Sequence, residues 1–452
     1  MRPGKIIVVG GNSAGPAAAA KAKRVYPAAV VYLFEAGDFI STGTCEIPYV
    51  LSGEIKNYED IIYYNPESFL SEKGVKVFVG HRVEEIDRKA KTITVNDLHN
   101  NKIEKYLYDT LILSTGSYAK IPAGFSTHLK NVFQLKTISD LIRLNDYLNS
   151  NNIKNAAIIG SGYIGIEACE ALHKRNISTT IIEKELLPLP SAEPEISRRT
   201  LVELETHNVN FIGGYINVEP YVKEDKIISV KADKEYFKTD IVLLATGITP
   251  NNILAERAKL EIGNFGGIKV DNKLRTSDRY IFAAGDNIQF TNAITAKPGY
   301  FPFSVYSHTF GHIAGENAAG GNINAEAVIK NVSVRIFKNY FASVGLTSKD
   351  AKNSRYMFTS VTAEVPNLIT VMDESKSVFG KLIFEVENRK ILGASFFGGT
   401  EVSGYADLIS SAIYSCQKIE FLSKITFNYT PPLSPFKNLL SVLGREAIAK
   451  SN

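Results

Sequence analysis

The sequence has 452 residues, of which 44% are hydrophobic and 22% charged, so it is long enough for two or three globular domains. The formal net charge is only +4 and lysines alternate with acidic residues, which argues against a nucleic-acid-binding protein. No run of 18 apolar residues occurs, so a membrane-spanning helix is not expected.

The N-terminus and the cysteines favour a cytoplasmic protein. Residues 1–5 lead directly into the apolar strand 6–9, with no secretory peptide before it. The three cysteines, Cys45, Cys169 and Cys416, are an odd number and far apart, which fits neither a disulfide framework nor a zinc site. No metal centre is therefore expected.

Residues 5–37, "KIIVVGGNSAGPAAAAKAKRVYPAAVVYLFEAG", have the pattern strand, glycine turn, helix, strand. In a dinucleotide-binding unit the glycines allow a tight turn and let a pyrophosphate approach the helix N-terminus, and a terminal acidic residue binds ribose. Gly10, Gly15 and Glu35 fit this pattern, but Asn12 replaces the middle glycine. The unit is an irregular nucleotide site, with a plain structural turn as the alternative.

Residues 155–185, "NAAIIGSGYIGIEACEALHKRNISTTIIEKE", repeat the same design. Gly160, Gly162 and Gly165 complete the glycine motif, and Glu183 ends the second strand. The carboxylate of Glu183 would repel a 2′-phosphate, which favours NADH over NADPH, while the adjacent Lys184 weakens that preference.

Three further segments are predicted to be strands that complete these two units. The segments "YDTLILSTGS" (108–117) and "TDIVLLATGITP" (239–250) each end an apolar strand with Thr-Gly. The segment "TSDRYIFAAGD" (276–286) places Asp286 after another strand, where it would bind a ribityl hydroxyl or cap the next helix. Beyond about residue 325, alternating apolar residues predict a separate α+β domain.

Cys45 lies in "FISTGTCEIPYVLSG" (39–53), directly after the first nucleotide unit. Many redox enzymes have a second cysteine five residues later, where this sequence has Val50. A buried inert thiol is the alternative to a redox role, but the polar neighbours of Cys45 favour the redox role. Cys169, at helical spacing within 166–172, and Cys416 are expected to be packing residues.

The order of these motifs resembles the flavoprotein disulfide reductase superfamily, also called pyridine nucleotide-disulfide oxidoreductases. A cysteine 30 residues after Gly15, with none at position 50, resembles its single-cysteine branch of coenzyme A-disulfide reductases, coenzyme A persulfide/polysulfide reductases, NADH oxidases and NADH peroxidases. Further segments resemble the family at family spacing: "NPESFLSEKGVKVFVGHRVEEID" (65–87), "VFQLKTISD" (132–140), "IAGEN" (313–317), "GLTSKDA" (345–351) and "YTPPLSP" (429–435).

The resemblance implies an α/β fold with two Rossmann-like, three-layer nucleotide-binding domains, similar to glutathione reductase, and a C-terminal α+β dimerisation domain. The implied boundaries are 1–118 with 246–325 for a split FAD domain, 119–245 for the NAD(P)H domain, and 326–452 for the dimerisation domain. The implied cofactors are FAD and NADH or NADPH, with NADH slightly favoured. The implied assembly is a homodimer, in which Tyr429 reaches the partner's cysteine.

The resemblance also implies the site residues. Cofactor contacts are expected at Gly10, Asn12, Ser13, Ala14, Gly15, Glu35, Val83, Thr115, Gly116 and Asp286 for FAD, and at Gly160, Gly162, Tyr163, Ile164, Gly165, Glu167, Glu183 and Gly247 for the nicotinamide nucleotide and its surroundings. Tyr163 resembles the aromatic residue that covers the flavin, and Glu167 resembles a residue that binds the nicotinamide amide. A core tyrosine and an exposed helical glutamate are the alternatives.

The predicted function is NAD(P)H-dependent reduction of a coenzyme A disulfide, persulfide or polysulfide, with Cys45 as the nucleophile. Candidate coenzyme A contacts are Lys21, Arg24, Ser41, Thr44 and Lys73, each of which is also a plausible surface residue. The alternatives are an NADH oxidase that reduces oxygen and a flavin-bearing redox sensor without turnover.

Several positions depart from the family. Ser13 stands where the oxidases and peroxidases usually have histidine, and Thr44 and Glu46 replace the usual neighbours of the cysteine. The usual Tyr-Tyr-Pro run is missing, since 364–366 read Glu-Val-Pro. His312 replaces an arginine, and it is expected to share a helix face with His308 and to pack on the cofactor.

Overall fold

Two parallel five-stranded sheets organise the computed structural model, which describes residues 3–451. With strands and helices numbered along the chain, the first sheet has the spatial order β20 (Ile281–Ala283), β9 (Thr110–Leu113), β1 (Lys5–Val9), β2 (Val30–Phe34) and β5 (Lys76–Phe78). The second has the order β11 (Val132–Phe133), β18 (Ile241–Leu244), β12 (Asn155–Ile159), β13 (Ser178–Glu183) and β14 (Asn210–Gly213). The central strands are continuous apolar runs because both faces of each sheet are covered.

Residues 3–451 contain twelve α-helices, which pack on these two sheets and on a third, C-terminal sheet. They are α1 (Ala14–Val25), α2 (Ile47–Leu51), α3 (Pro66–Lys73), α4 (Ile138–Ser150), α5 (Tyr163–Lys174), α6 (Pro194–Thr206), α7 (Ile253–Arg257), α8 (Ser304–Ala318), α9 (Ser348–Lys352), α10 (Glu401–Tyr414), α11 (Ile419–Lys424) and α12 (Leu439–Ser451). None of the helices within 3–451 is both long and apolar enough to cross a bilayer. Helices α1 and α5 each begin directly after a glycine turn, so both predicted nucleotide-binding units are confirmed as strand–turn–helix–strand.

The smaller sheets are antiparallel excursions from the two parallel ones. They pair β3 (Ile40–Thr42) with β4 (Ile62–Tyr64), β6 (His81–Asp87) with β7 (Thr92–Asp97) and β8 (Lys102–Leu107), β10 (Ser117–Ala119) with β19 (Ile248–Pro250), β15 (Val218–Lys223) with β16 (Lys226–Ala232) and β17 (Glu235–Lys238), and β21 (Phe290–Thr291) with β22 (Pro298–Gly299).

The C-terminal region forms the α+β unit that the sequence predicts. Its antiparallel sheet has the order β23 (Asn331–Ile336), β24 (Asn339–Gly345), β27 (Ile391–Gly398), β26 (Ser377–Glu385) and β25 (Phe358–Pro366), with α10, α11 and α12 packed against it. The fold class is therefore confirmed, while the domain boundaries stay predictions.

Of the two cysteines predicted to pack, one prediction is confirmed and one is wrong. Cys169 is fully buried in α5. Cys416 is exposed, because α10 ends at Tyr414 and the chain turns there with a φ of 52° at Cys416. The apolar residues around Cys416 suggested helical packing, but the helix ends two residues before it.

Helices α1 and α8 approach each other closely, and glycine makes the approach possible. A Cβ atom on Gly311 would lie 2.3 Å from the carbonyl oxygen of Ala14, and one on Gly315 would lie 2.1 Å from that of Ala18. Both separations are far shorter than a van der Waals contact, so only glycine fits at these positions.

We expect Gly315→Ala to destabilise the protein by about 1–3 kcal/mol, because the added methyl group forces α8 away from α1. The matched control is Gly404→Ala in α10, whose Cβ would meet no atom within 4 Å. That substitution should leave stability unchanged or raise it by about 0.5–1 kcal/mol through helix propensity. Thermal unfolding measures both, and equal midpoints for the two variants would contradict the packing argument.

Candidate functional site

A cavity of about 480 Å³ lies between α1, α8 and the segment that contains Cys45. Its walls combine small residues of α1, polar backbone turns and several cationic side chains. The lining residues are Asn12, Ser13, Pro16, Ala17, Ala20, Arg24, Ser41, Thr42, Gly43, Thr44, Cys45, Glu46, Tyr63, Tyr64, Phe69, Lys73, Ser304, His308 and His312.

The Cys45 side chain is exposed within this cavity and contacts the start of α8. Its thiol donates to Oγ of Ser304 at 3.7 Å, and Oγ of Ser13 donates to the carbonyl oxygen of Ser304 at 3.2 Å. Cys45 itself lies in a 3-10 turn, Thr44–Glu46, directly before α2. Strand β3, this turn and the start of α8 thus hold the sulfur at one end of the cavity.

The surroundings of Cys45 favour the neutral thiol. Although the residue is exposed as a whole, desolvation around its sulfur raises the pKa of Cys45, and the hydrogen bond to Ser304 lowers it. Negative charge on Glu46, Glu167 and Asp286 raises the pKa further. Glu46 is fixed beside the cysteine because the Tyr63 hydroxyl donates to its carboxylate at 3.3 Å. The charged side chains that act on the sulfur are therefore acidic.

Four of the five candidate coenzyme A residues line the cavity, and the fifth does not. Arg24, Ser41, Thr44 and Lys73 line the cavity, whereas Lys21 does not and instead forms an ion pair with Glu316 at 2.7 Å. The hydroxyl oxygen of Ser41 is buried without a hydrogen-bond partner, and this residue has a φ of 51°. An unpartnered hydroxyl in a strained turn beside the cavity is a group available to a ligand.

The first glycine turn has the packing that a nucleotide-binding turn requires. A Cβ on Gly10 would lie 2.1 Å from the carbonyl oxygen of Ser114, and one on Gly15 would lie 1.8 Å from that of Gly10. The half-exposed Glu35 accepts from the backbone N–H groups of Gly11 (2.5 Å) and Gly37 (2.7 Å). The glycines of the turn therefore pack directly on the backbone beneath them. The strand that follows ends at Glu35, the position at which an acidic residue binds the ribose in such sites.

The other predicted FAD contacts surround this turn. The Asn12 side chain accepts from the backbone and hydroxyl of Thr42, which ties the turn to the cysteine segment. Ala14 is buried at the start of α1, and Val83 lies buried at an irregularity of β6.

Asp286 and the Thr115-Gly116 turn lie at the ends of adjacent strands. The carboxylate of Asp286 accepts from Ser117 and Ser307, both at 3.0 Å, and lies 3.5 Å from Nζ of Lys136. Gly116 has a φ of 69°, and a Cβ there would meet nothing within 4 Å. This open, polar edge fits the ribityl and pyrophosphate parts of FAD.

The second glycine turn leaves open space for a pyrophosphate. Gly160 and Gly165 pack against carbonyl oxygens, at Cβ distances of 2.5 and 2.2 Å, whereas a Cβ on Gly162 would point into open space at the N-terminus of α5. Gly247 is likewise open, with a φ of 92°. This arrangement fits a dinucleotide whose phosphates lie on the helix N-terminus.

Glu183 is more deeply placed than its counterpart Glu35. It is buried, and its carboxylate accepts from the N–H (2.8 Å) and hydroxyl (2.9 Å) of Ser161 and from the N–H of Glu185 (3.1 Å). The exposed residues at this strand end are Lys184 and Glu185. The buried carboxylate of Glu183 holds the glycine turn at Ser161 in place. The exposed charges of Lys184 and Glu185 follow it in the chain.

The remaining candidates on α5 have distinct environments. The Tyr163 hydroxyl accepts from Ser191 at 3.1 Å, and Ile164 is exposed. Burial raises the pKa of Glu167 to about 7, with repulsion from Glu170 adding to the effect. This carboxyl is therefore about half protonated near neutral pH.

Tyr429 does not line the cavity that contains the Cys45 of its own protomer. Its side chain is 44% exposed and packs edge-on against Phe436 at 5.5 Å. Phe436 is 78% exposed, so both rings are available to a neighbouring chain.

Sequence reasoning missed Ser304 and Tyr63. His308 and His312 share one face of α8, with ring centroids 4.6 Å apart, as predicted. Both line the cavity that contains Cys45, and their packing on the cofactor stays a prediction. Ser304 lies at the same helical spacing, one turn before His308, and this periodicity was the signal that would have found it.

Comparison with known proteins shows the family to which the fold belongs. Residues 4–299 match the family described as pyridine nucleotide-disulphide oxidoreductase, and residues 332–439 match its dimerisation domain. An NADH oxidase of Methanocaldococcus jannaschii is 29% identical over 99% of both chains. An NAD(P)H coenzyme A polysulfide/persulfide reductase of Pyrococcus horikoshii is 27% identical over 98% of both. The crystal structure of reduced Bacillus anthracis CoADR-RHD superposes with a TM-score of 0.95 at 26% identity, covering 100% of this chain and 81% of that one.

The family match at 4–299 contains both nucleotide-binding units, and the match at 332–439 coincides with most of the C-terminal α+β unit. The chain belongs to the pyridine nucleotide-disulphide oxidoreductases and is an FAD- and NAD(P)H-dependent oxidoreductase.

Proposed function

We propose that this protein reduces the sulfur–sulfur bond of a coenzyme A disulfide, persulfide or polysulfide at the expense of NAD(P)H. The observation that carries the proposal is the position of Cys45, whose thiol faces a cavity of about 480 Å³ that contains no second cysteine. Cys169 is fully buried elsewhere, and Val50, at the position of a second redox cysteine, is 5% exposed in α2. The second sulfur of the redox pair therefore comes from the substrate.

Cys45 performs the covalent step. Its thiolate attacks one sulfur of the substrate, a mixed disulfide forms, and the other half leaves as a thiolate that takes up a proton. Ser304 orients the attacking sulfur through the 3.7 Å contact. When bound, FAD supplies the two electrons, received from NAD(P)H, that cleave this mixed disulfide.

The two nucleotides would be held by the glycine turns and by the polar residues at the ends of the neighbouring strands. For FAD they are the turn from Gly10 to Gly15, Glu35, Gly116 and Asp286. For the nicotinamide nucleotide they are the open turn at 160–165 and the exposed charges that follow Glu183. NADH is the proposed preference, since Glu183 and Glu185 outnumber Lys184 at this strand end.

A homodimer completes the site in this proposal. The dimerisation domain at 332–439 supports the assembly, and the exposed pair Tyr429 and Phe436 supports a contribution from the partner. Because Tyr429 does not reach its own Cys45, the tyrosine would act at the cavity of the other protomer.

Cys45→Ser should abolish NADH oxidation driven by coenzyme A disulfide, with at least a 1,000-fold loss in kcat. Flavin bleaching by NADH should be retained, because the nucleotide sites do not use the sulfur. Cys416→Ser is the matched control, since it removes the other exposed thiol and should leave turnover unchanged. Turnover retained in Cys45→Ser would remove the proposed nucleophile.

The same assay separates the rival functions. Steady NADH consumption with coenzyme A disulfide under argon, and slow consumption with oxygen alone, supports the reductase. Faster consumption with oxygen identifies an oxidase. A single turnover that stops with Cys45 modified identifies a sensor.

Glu46→Gln should raise the rate of Cys45 alkylation by iodoacetamide at pH 7 about threefold, because removing a negative charge lowers the pKa of the thiol. The alkylation profile shifts to lower pH, since a larger thiolate fraction is then present at each pH. Glu59→Gln is a control that removes an exposed carboxylate outside the cavity wall. An unchanged profile for Glu46→Gln would show that this carboxylate does not act on the sulfur.

Lys184→Ala should raise the ratio of kcat/KM for NADH to that for NADPH about tenfold, since it removes the cation that would attract a 2′-phosphate. Lys234→Ala, at an exposed turn of the same region, is the matched control. The ratio is measured with both nucleotides at fixed disulfide concentration. A fall in the ratio would contradict the proposed role of Lys184.

A further inference from the structure

Four basic or titratable side chains line the part of the cavity away from the sulfur. His308 and His312 project from α8, Arg24 from the end of α1, and Lys73 from the end of α3. Eight residues separate Ser304 from His312, so the histidine lies about 12 Å along the helix from the residue that contacts Cys45. The cavity therefore has an acidic end at the sulfur and a basic end at these four residues.

Most of the positive charge at the basic end of the cavity is not neutralised by carboxylates of the protein. Arg24 is exposed and has no ion-pair partner among the described residues. The nearest carboxylate on α8, Glu316, is already paired with Lys21 at 2.7 Å. Lys73 approaches Glu72 at 3.4 Å and lies 5.0 Å over the ring of Tyr64. The basic end thus favours an anionic ligand.

His312 has basic or titratable neighbours on both α8 and α1, and Glu316, one turn further along α8, is paired with Lys21. His308 lies on the same helix face, while Lys21 and Arg24 approach from α1. Burial lowers the pKa of His312 below its ordinary value of 6.5, and His308, Arg24 and Lys21 lower it further. Without a ligand, the imidazole of His312 is therefore mostly neutral at pH 7.

We propose that the His308–His312 pair is a proton-coupled recognition site for a phosphate group of the thiol substrate. This inference rests on the proposed function and specifies the substrate as one that carries phosphate at some distance from its sulfur. An incoming phosphate places negative charge against the imidazole of His312, which stabilises its protonated form, so that binding takes up a proton. Arg24 and Lys73 supply the permanent charge, His308 supplies a second imidazole on the same helix face, and His312 supplies a charge that forms with the ligand.

The proposal has a defined pH dependence. Binding strengthens as the pH falls from 8 towards 6, because the proton needed by the complex becomes more available. Below about pH 6 the phosphate itself takes up a proton, and the gain ends. The KM for coenzyme A disulfide should rise about tenfold between pH 6 and pH 8, whereas the KM for pantethine, the same disulfide without phosphate, should change little.

Calorimetric titration of the FAD-loaded protein with reduced coenzyme A tests this directly. At pH 7.5, titration in two buffers with different ionisation enthalpies should report uptake of a substantial fraction of one proton on binding. Pantetheine, which lacks phosphate, should bind more weakly and without uptake. His312→Gln should lose most of the uptake and bind coenzyme A about tenfold more weakly at pH 6.5. His312→Arg should bind tightly with little uptake, because its charge is permanent.

His128→Gln is the matched control, since His128 is exposed on the second nucleotide-binding region away from the cavity. It should reproduce the parent protein. Coenzyme A binding without proton uptake, or uptake that persists in His312→Gln, would overturn the inference while leaving the reductase proposal intact. Proton-coupled binding without disulfide turnover would instead overturn the proposed function alone. Absence of coenzyme A binding would overturn both.

Discussion

The close packing of α8 on α1 is the constraint on which the site depends. Gly311 and Gly315 let α8 lie directly on the backbone of α1, with no room for a methyl group at either position. This contact places Ser304 beside Cys45 and aligns both histidines with the outer face of α1. The two helices thus form two walls of one cavity. The two ends of the cavity differ in charge because different side chains of α1 and α8 line each end.

A polarised cavity orients a long substrate. Glu46 and Asp286 make the sulfur end acidic, which raises the pKa of Cys45, while Arg24 and Lys73 make the other end basic. In the proposed orientation, a disulfide that carries phosphate at a distance from its sulfur binds with the phosphate at the basic end and the sulfur at Cys45. A small neutral oxidant gains nothing from the basic end, so the charge distribution favours the reductase over an oxidase.

Much of the fold could be predicted from the sequence, because the two nucleotide-binding units carry their signals locally. The glycine turns, the apolar strands and the terminal glutamates determine the units within about 30 residues each, and all appear as expected. The residues that long-range packing brings together could not be read in this way. Ser304 contacts Cys45 across 259 positions, and although its spacing of one turn from His308 places it on the same helix face, that spacing does not show what the face meets. Likewise, the sequence placed Glu183 at a strand end but did not reveal that its carboxylate accepts hydrogen bonds from Ser161.

The position of the cysteine segment is fixed from outside the first nucleotide-binding region as well. The guanidinium of Arg335, on β23, lies 4.7 Å over the ring of Tyr49 in α2 and pairs with Glu54 at 2.6 Å and with Glu170 of α5 at 2.7 Å. Three separate parts of the chain therefore meet at the short helix that follows Cys45. Glu170 is buried, and its partners Arg335 and Lys174 lie outside α2, so these ion pairs fix the guanidinium against which Tyr49 packs. The segment that carries Cys45 is thus held by helix packing on one side and by this ion-pair network on the other, and a substrate meets the sulfur at one defined end of the cavity.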